Sequence, residues 1–507
     1  MAAQAGHAPS GGSDERTMLS EQLAPVLLAK TLTAFDLVVI FVGIVLFIVN
    51  SAGFQFAGPR AFIYLILAYL TFLIPGCFIT AQLGRMFPEE GSIYVWTHKA
   101  LGPFWGFFAG FVAWWPGPLA MVFAPIIVVS LAQGIWTGVF TKPWEQGLLI
   151  LAVLWFSAGV ALLKQRVSQN YVNFQFFFYA GALFLMSIAG VVWLLKGHPA
   201  QNDFSTNWNP LSYANVTVFA FAFLALLGIE VPLNMGVEVK SENSIRKYLF
   251  WGSIIVMVAY LGTTFSTMVV IPADQLNGVN DGIATVGNAI APWVGKVVGL
   301  ILIWFFVSNT AIYNYTFARL LFVSGLEKRL PHQIGKVSKN RVPANAILLQ
   351  TIIATIPVVL IWFVFGAGGN IDPNTPYFAL LASANVIWGT SMVLLFADIF
   401  FVKRFFPRKF EEVRTVPEGF LKLCGVLGIV ASAVAVWATF ASPWYPPGFT
   451  TGKWRFWVGL ITILSAAFGL VIYAISQRAR HGKTDEQLII EERVAPAAAG
   501  GSEGGAA

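Results

Sequence analysis

One carboxylate in the middle of an apolar run is the group in this chain best placed to do chemistry. The run Phe223-Leu-Ala-Leu-Leu-Gly-Ile-Glu230-Val-Pro-Leu-Asn234 holds Gly228, Glu230 and Pro232 within five residues. An ionisable side chain deep in a membrane helix costs ~2.5–3.5 kcal/mol for Asp, Lys or Arg on insertion scales, and marks a pathway or a pair. The nearest cation in sequence, Lys240, is ten residues on. Two roles are open to Glu230. Ionised, it suits the start of a half-helix beginning at Pro232, where free N–H groups and the dipole favour negative charge. Desolvated, it could take up a proton during a cycle. Pro232 lacks an N–H and fits a first helical turn, whereas Gly228 can adopt the conformation that ends a helix. A break between two half-helices explains all three residues together. A proline-kinked packing helix with an isolated carboxyl is the alternative.

Other polar and aromatic residues are less decisive. Val42-Gly43-Ile44 and Asn50-Ser51-Ala52-Gly53 interrupt another apolar run. Trp114 and Trp115 precede Pro116-Gly117-Pro118, where a helix must bend; Trp114 either lines a site or faces lipid. Trp388 and Asn385 are ambiguous in the same way, and Asp398 is assigned a structural role beside Lys403 and Arg404. Cys77 and Cys424 lie in apolar runs and form no disulfide framework or Cys-x-x-Cys site. The five histidines fall in tails or loops without metal-ligand spacing, so no metal or cofactor is expected. Gly482-Lys483-Thr484 ends like a phosphate loop, but Gln477 stands where its first glycine is required. Any transport must therefore draw on a gradient or on exchange.

The elements that position these residues follow from composition. Of 507 residues, 57% are hydrophobic and 11% charged, with a mean hydropathy of +0.72. Soluble domains carry roughly 25% charge, so the missing solvent is lipid. A helix needs ~20 apolar residues to cross a bilayer. Such runs predict twelve spans near 34–55, 62–84, 103–134, 146–163, 172–195, 213–237, 248–271, 289–324, 345–366, 376–402, 420–441 and 455–476. The fold class is all-α and polytopic.

With the N-terminus inside, alternate loops hold 25 Lys/Arg on the inner side and six on the outer. Both termini are therefore expected in the cytoplasm, in a cell membrane. The net charge of +7 is then a topology signal, and no nucleic-acid partner is expected. Hydropathy alone divides the 31–480 transmembrane domain into blocks at about 34–195 and 213–402, followed by two helices at about 420–476. An odd number of spans per block makes the blocks opposite in topology. Residues 1–30 are expected to be an N-terminal tail without a cleavable signal, and 481–507 a disordered C-terminal one.

Several segments, in order along the chain, resemble amino acid–polyamine–organocation (APC) transporters. They are Met86-Phe-Pro-Glu-Glu-Gly-Ser-Ile-Tyr-Val-Trp96 with Ala100-Leu-Gly-Pro103 and Trp105-Gly106, then Gly228-Ile-Glu230 with Glu238-Val-Lys240, then Ala318-Arg319 through Leu330-Pro331 and Val342-Pro343-Ala-Asn-Ala346. Within the family the chain is most similar to bacterial glutamate/γ-aminobutyrate antiporters, clearest over Phe62 to Gly106. The resemblance implies five plus five inverted helices, with helices one and six broken, two extra helices, and alternating access. It also implies that a substrate carboxylate meets free N–H groups around Val42, Gly43 and Ile44. The ammonium would face carbonyls near Leu227 and Gly228, and Tyr313 would stand at an aromatic gate.

The chain also departs from its look-alikes. Val42-Gly43-Ile44 replaces a small, often Gly-Ser-Gly, pattern; Gln82 and Asn309 stand at positions acidic in relatives, and Gln175 near a fifth-helix lysine. Leu224 takes a tryptophan's place, and the tail lacks a His-rich plug. The expected function is thus a secondary transporter of an amino acid or amine, with exchange as one mode; a sodium- or proton-coupled symporter of another small solute is the alternative. Against a sodium site, Ser308 and Thr310 point in different directions on one helix. A lipid-modifying enzyme would want intramembrane Ser/His or His/Asp clusters, which the sequence lacks, and a channel would want few helices repeated by assembly.

Overall fold

A computed structural model describes residues 17–479, apart from 56, 211–214, 277, 369–371, 373 and 445–447. Twelve crossings account for nearly all of it. Ten helical stretches are long and apolar enough to span a membrane; the other two crossings are the broken ones. The chain begins with α1 (Leu19–Leu27), and the first crossing is α2 (Ala34–Val45) followed by a 3-10 turn and α3 (Ser51–Gln55). The second joins α4 (Arg60–Ala68) to α5 (Ile74–Met86) through a π turn over Tyr69–Leu73. After α6 (Ser92–Leu101), the third is α7 (Pro103–Trp114) and α8 (Pro116–Ile135), jointed at Trp115 where two prolines remove donors. The fourth and fifth are α9 (Pro143–Ala161) and α10 (Gln165–Leu195).

The sixth crossing starts with α11 (Val216–Leu224), breaks, and resumes as a 3-10 turn over Val231–Glu238. The remaining ones are α12 (Asn243–Val270), α14 (Pro292–Leu326) after the short α13 (Asp281–Ala289), α15 (Ala344–Val359) with its π extension, and α16 (Asn374–Phe405). Past α17 (Pro407–Val413), α18 (Glu418–Thr439) and α19 (Thr451–Ala479) complete the bundle. Each of the two five-crossing sets thus opens on a broken helix.

The chain before the first crossing is packed where it is described. Leu19 and Ala24 of α1 are buried; Ser20 N–H donates to Glu327 Oε1 at 2.7 Å, and Glu21 pairs with Lys99. Arg341 ties the end of α1 down through the Leu27 carbonyl at 3.1 Å. Leu32 then bridges Val239 in parallel, with Lys240 N–H donating to the Leu32 carbonyl at 2.9 Å. This links the entry to the first crossing with the exit from the sixth. The expected tail therefore contains a docked helix, because its apolar residues have a surface to cover. Residues 481–507 lie outside the described ones.

Candidate functional site

Both breaks fall at the same place in the bundle, and they touch. Gly228 has φ +108°, a left-handed conformation in which a side chain is strained. A Cβ there would collide with Ile44 Cγ2 and stand 3.3 Å from the Trp388 ring. The first half of helix six ends earlier than expected, at Leu224 with Ala225 as its cap. Gly228 therefore turns the chain inside the break rather than ending the helix, and Pro232 sits in the first turn of the second piece. That piece is a 3-10 turn with a kink at Met235, and a Cβ on Gly236 would collide with the Glu89 and Pro88 carbonyls.

The break in helix one lies elsewhere than expected. Val42, Gly43 and Ile44 sit inside α2, and the chain leaves helical geometry at Leu46 (ψ 75°) and Phe47 (ψ 85°). What the neighbourhood of residues 43–47 offers is carbonyls, since a helix C-terminus leaves its last C=O groups unpaired. Distant side chains cap them. Asn309 Nδ2 donates to the Gly43 carbonyl, and Tyr313 to that of Ile44 at 3.1 Å. The Tyr260 hydroxyl lies 3.1 Å from the Val45 carbonyl and 3.2 Å from that of Phe47. Tyr179 donates to the Leu46 carbonyl at 2.6 Å. At the other break Tyr248 donates to the Ile229 carbonyl at 3.1 Å. Neither Gly nor Pro is present at Leu46–Phe47, so no local signal marks this break, and Tyr179, Tyr248 and Tyr260 escape a sequence reading.

Around this contact the polar groups are incompletely paired. Glu230 is buried, and its Oε1 accepts from Trp388 Nε1 at 2.8 Å. Glu230 Oε2 and Asn309 Oδ1 have no hydrogen-bond partner among the described residues. Buried polar atoms are rarely left so, and two acceptor oxygens suit a cation that donates. An aromatic chain connects the groups: Tyr313 stacks on Phe317 at 5.3 Å, Phe317 meets Trp388 edge-on at 5.5 Å, and Phe47 meets Tyr313 edge-on at 5.9 Å. Leu224 and Leu227 are buried at the end of α11, where Leu227 N–H donates to the Leu224 carbonyl at 3.1 Å.

Trp114 stands apart from this cluster. It is buried, not lipid-facing, and donates to Gln350 Oε1 at 2.8 Å; Gln350 in turn lies 3.4 Å from the Tyr313 carbonyl. Asp398 accepts from Thr97 at 2.7 Å, while Lys403 pairs instead with Glu411 and Glu418. Ser308 and Thr310 are engaged separately, with Tyr171 and the Phe306 carbonyl. Gln175 Nε2 is buried without a partner among the described residues. Among the described residues no group of three or more His, Cys, Asp or Glu could hold a metal ion.

At the end of the bundle that carries α1, an ion network seals the second half of helix six. Arg319, fully buried, holds Glu238 at 2.7 Å and Glu90 at 3.4 Å, and donates to Gln165 Oε1 at 3.1 Å. Glu90 Oε2 accepts from Val237 N–H at 3.2 Å. Next to it in the same loop, the Glu89 carboxyl is pushed up to about 7, first by burial and then by the charge of Glu21, against the pull of Lys409 and Lys99. Between the ordinary 4.5 and about 7, the folded protein keeps a proton that the unfolded chain releases, so stability falls as pH rises through this window. Glu89→Gln should flatten that decline. Melting temperatures from about pH 5 to about pH 8 check it, and equal slopes in both proteins would refute the shift.

Comparison with known proteins agrees with this architecture. Residues 31–467 match the family model described as amino acid permease. An uncharacterized transporter of Legionella pneumophila is 25% identical over 313 residues, covering 58% of this chain and 65% of that protein. The polyamine transporter PUT1 of Oryza sativa is 24% identical over 306 residues, 57% of this chain and 51% of that one. The gamma-aminobutyric acid permease of Bacillus subtilis is 23% identical over 369 residues, 68% and 73% respectively. The matches to the first two span about half to two thirds of their lengths. With the family model covering most of its residues and broken helices one and six in contact, the chain belongs to the amino acid permease family of the APC superfamily.

Proposed function

We propose that the protein is a secondary active transporter that moves an amino acid or a related amine across the cell membrane by alternating access. The observation that carries this reading is the pair of unpartnered acceptor oxygens, on Glu230 and Asn309, beside touching helix breaks. A substrate ammonium would be held by Glu230 and Asn309, with Tyr313 and Trp388 as its aromatic wall. A carboxylate, if present, would meet the first N–H groups after the break, near Ile48 and Val49, rather than those of Val42, Gly43 and Ile44. These start the second half-helix, whose dipole favours an anion. Leu224, Leu227 and Gly228 would close the apolar side, with Trp114 supporting Tyr313 through Gln350. The names of relatives, polyamine transporter and gamma-aminobutyric acid permease, support an amine-bearing substrate. The 25-to-6 bias of basic residues supports cytoplasmic termini.

The test is uptake into proteoliposomes. A panel of amino acids and amines is first screened for a rise in melting temperature, since a specific ligand stabilises the folded state. The labelled hit should then enter without ATP and faster when unlabelled substrate is loaded inside. Strict sodium dependence without such counterflow would favour the symporter reading instead.

A further inference from the structure

A groove of about 800 Å³ lies between α5 and α12, on the flank of the bundle away from the helix breaks. Ile74, Phe78 and Ala81 form one wall, and Leu249, Phe250 and Ile254 the other. Phe250 and Trp251 are more than half exposed, so the groove opens where a bilayer's acyl chains lie. The π turn at Tyr69–Leu73 shapes its far end. Its near end carries Arg246 and Lys247, roofed by Thr415 and Val416. That roof is fixed: Arg85 Nη1 donates to the Val413 carbonyl at 2.7 Å, and Gln82 to that of Phe410 at 2.9 Å.

Arg246 and Lys247 are both exposed, and neither forms an ion pair within 4.0 Å among the described residues. Of the other basic residues, Lys99, Arg166, Arg319, Lys403 and Lys422 hold carboxylates, whereas Lys240 and Arg408 form no ion pair among the described residues. Two uncompensated cations at the mouth of an apolar slot complement an amphiphile with a negative head. From this arrangement we infer that the groove binds an anionic phospholipid, its acyl chain along α5 and α12 and its headgroup phosphate on Arg246 and Lys247. A zwitterionic lipid offers the same chains without the net charge, and a free anion offers the charge without the chains. The helix that forms this wall, α12, also carries Tyr248, which caps the Ile229 carbonyl at the break in helix six. A lipid seated here braces α12 at the point where it holds helix six.

The test uses the full-length protein in detergent, titrated with phosphatidylglycerol, phosphatidylcholine or inorganic phosphate while melting temperature and lipid retained by native mass spectrometry are followed. Phosphatidylglycerol should raise the melting temperature and be retained, and the other two should not. Arg246→Ala with Lys247→Ala should weaken retention roughly 30-fold, the size expected for two basic side chains near an anionic surface. Ala81→Trp fills the slot but keeps both charges, and should also abolish retention. Equal stabilisation by phosphatidylcholine would mean an unselective apolar slot, and an equal effect of phosphate would mean an ion site. Undiminished retention in either variant would place the lipid elsewhere; each of these results overturns the inference.

Discussion

Glu230→Gln is expected to raise KM for a cationic amine by about ten- to a hundredfold and to flatten the dependence of uptake on pH. The basis is local. Glu230 Oε1 is held by Trp388 and Oε2 is unpartnered, so the carboxylate is anchored by one oxygen and offers the other. Hydrogen bonds to charged groups contribute ~1.5–3 kcal/mol, which sets the range. Glutamine keeps the shape and one acceptor but can neither carry charge nor exchange a proton. Uptake measured across pH in both proteins, with melting temperatures as the folding control, decides the matter. Unchanged rate and pH profile would reduce Glu230 to a helix cap.

Removing Arg319 should have the largest effect on stability. Its guanidinium is fully buried between Glu238 and Glu90, so Arg319→Leu leaves two buried carboxylates facing each other without a cation. Breaking one side of a buried pair costs about 3–5 kcal/mol. Adding Glu238→Gln should recover part of the loss, because it removes one stranded charge. Melting temperatures of the single and double variants give the comparison. A single variant as stable as the native protein, or a double variant less stable than the single one, would show that the network bears no such load. The same network joins α14 to the second half of helix six and to the loop before α6. Its loss should therefore loosen this end of the bundle first, which hydrogen exchange at residues 231–240 would register.

The two broken helices differ in how legible they are from sequence. In helix six, glycine, glutamate and proline stand within five residues, and each has a backbone or solvation requirement that regular helix cannot meet. The break is therefore readable from local chemistry. In helix one the interruption at Leu46–Phe47 has no such residue, and the expectation of a break around Val42, Gly43 and Ile44 rests on the family resemblance. That glycine instead permits close packing: a Cβ on it would stand 2.6 Å from Ile312 Cδ1. Asp398 is a second case. Lys403 and Arg404 are its nearest charges in sequence, yet its hydrogen bond comes from Thr97, 301 residues away in the chain.

The solvent, the crossings, the family and the break in helix six are all legible in the order of the residues. Each depends on composition, on run length or on residues a few positions apart, and such interactions are written in local order. Where helix one opens, and which oxygens remain free, is set by packing between distant segments. Those carbonyls are capped by Asn309, Tyr313, Tyr260 and Tyr179, between 133 and 269 residues away. An unpaired carbonyl inside a bilayer costs several kcal/mol, so helix one breaks where distant hydroxyls and an amide can satisfy it. No pattern along the chain specifies which tyrosines those will be.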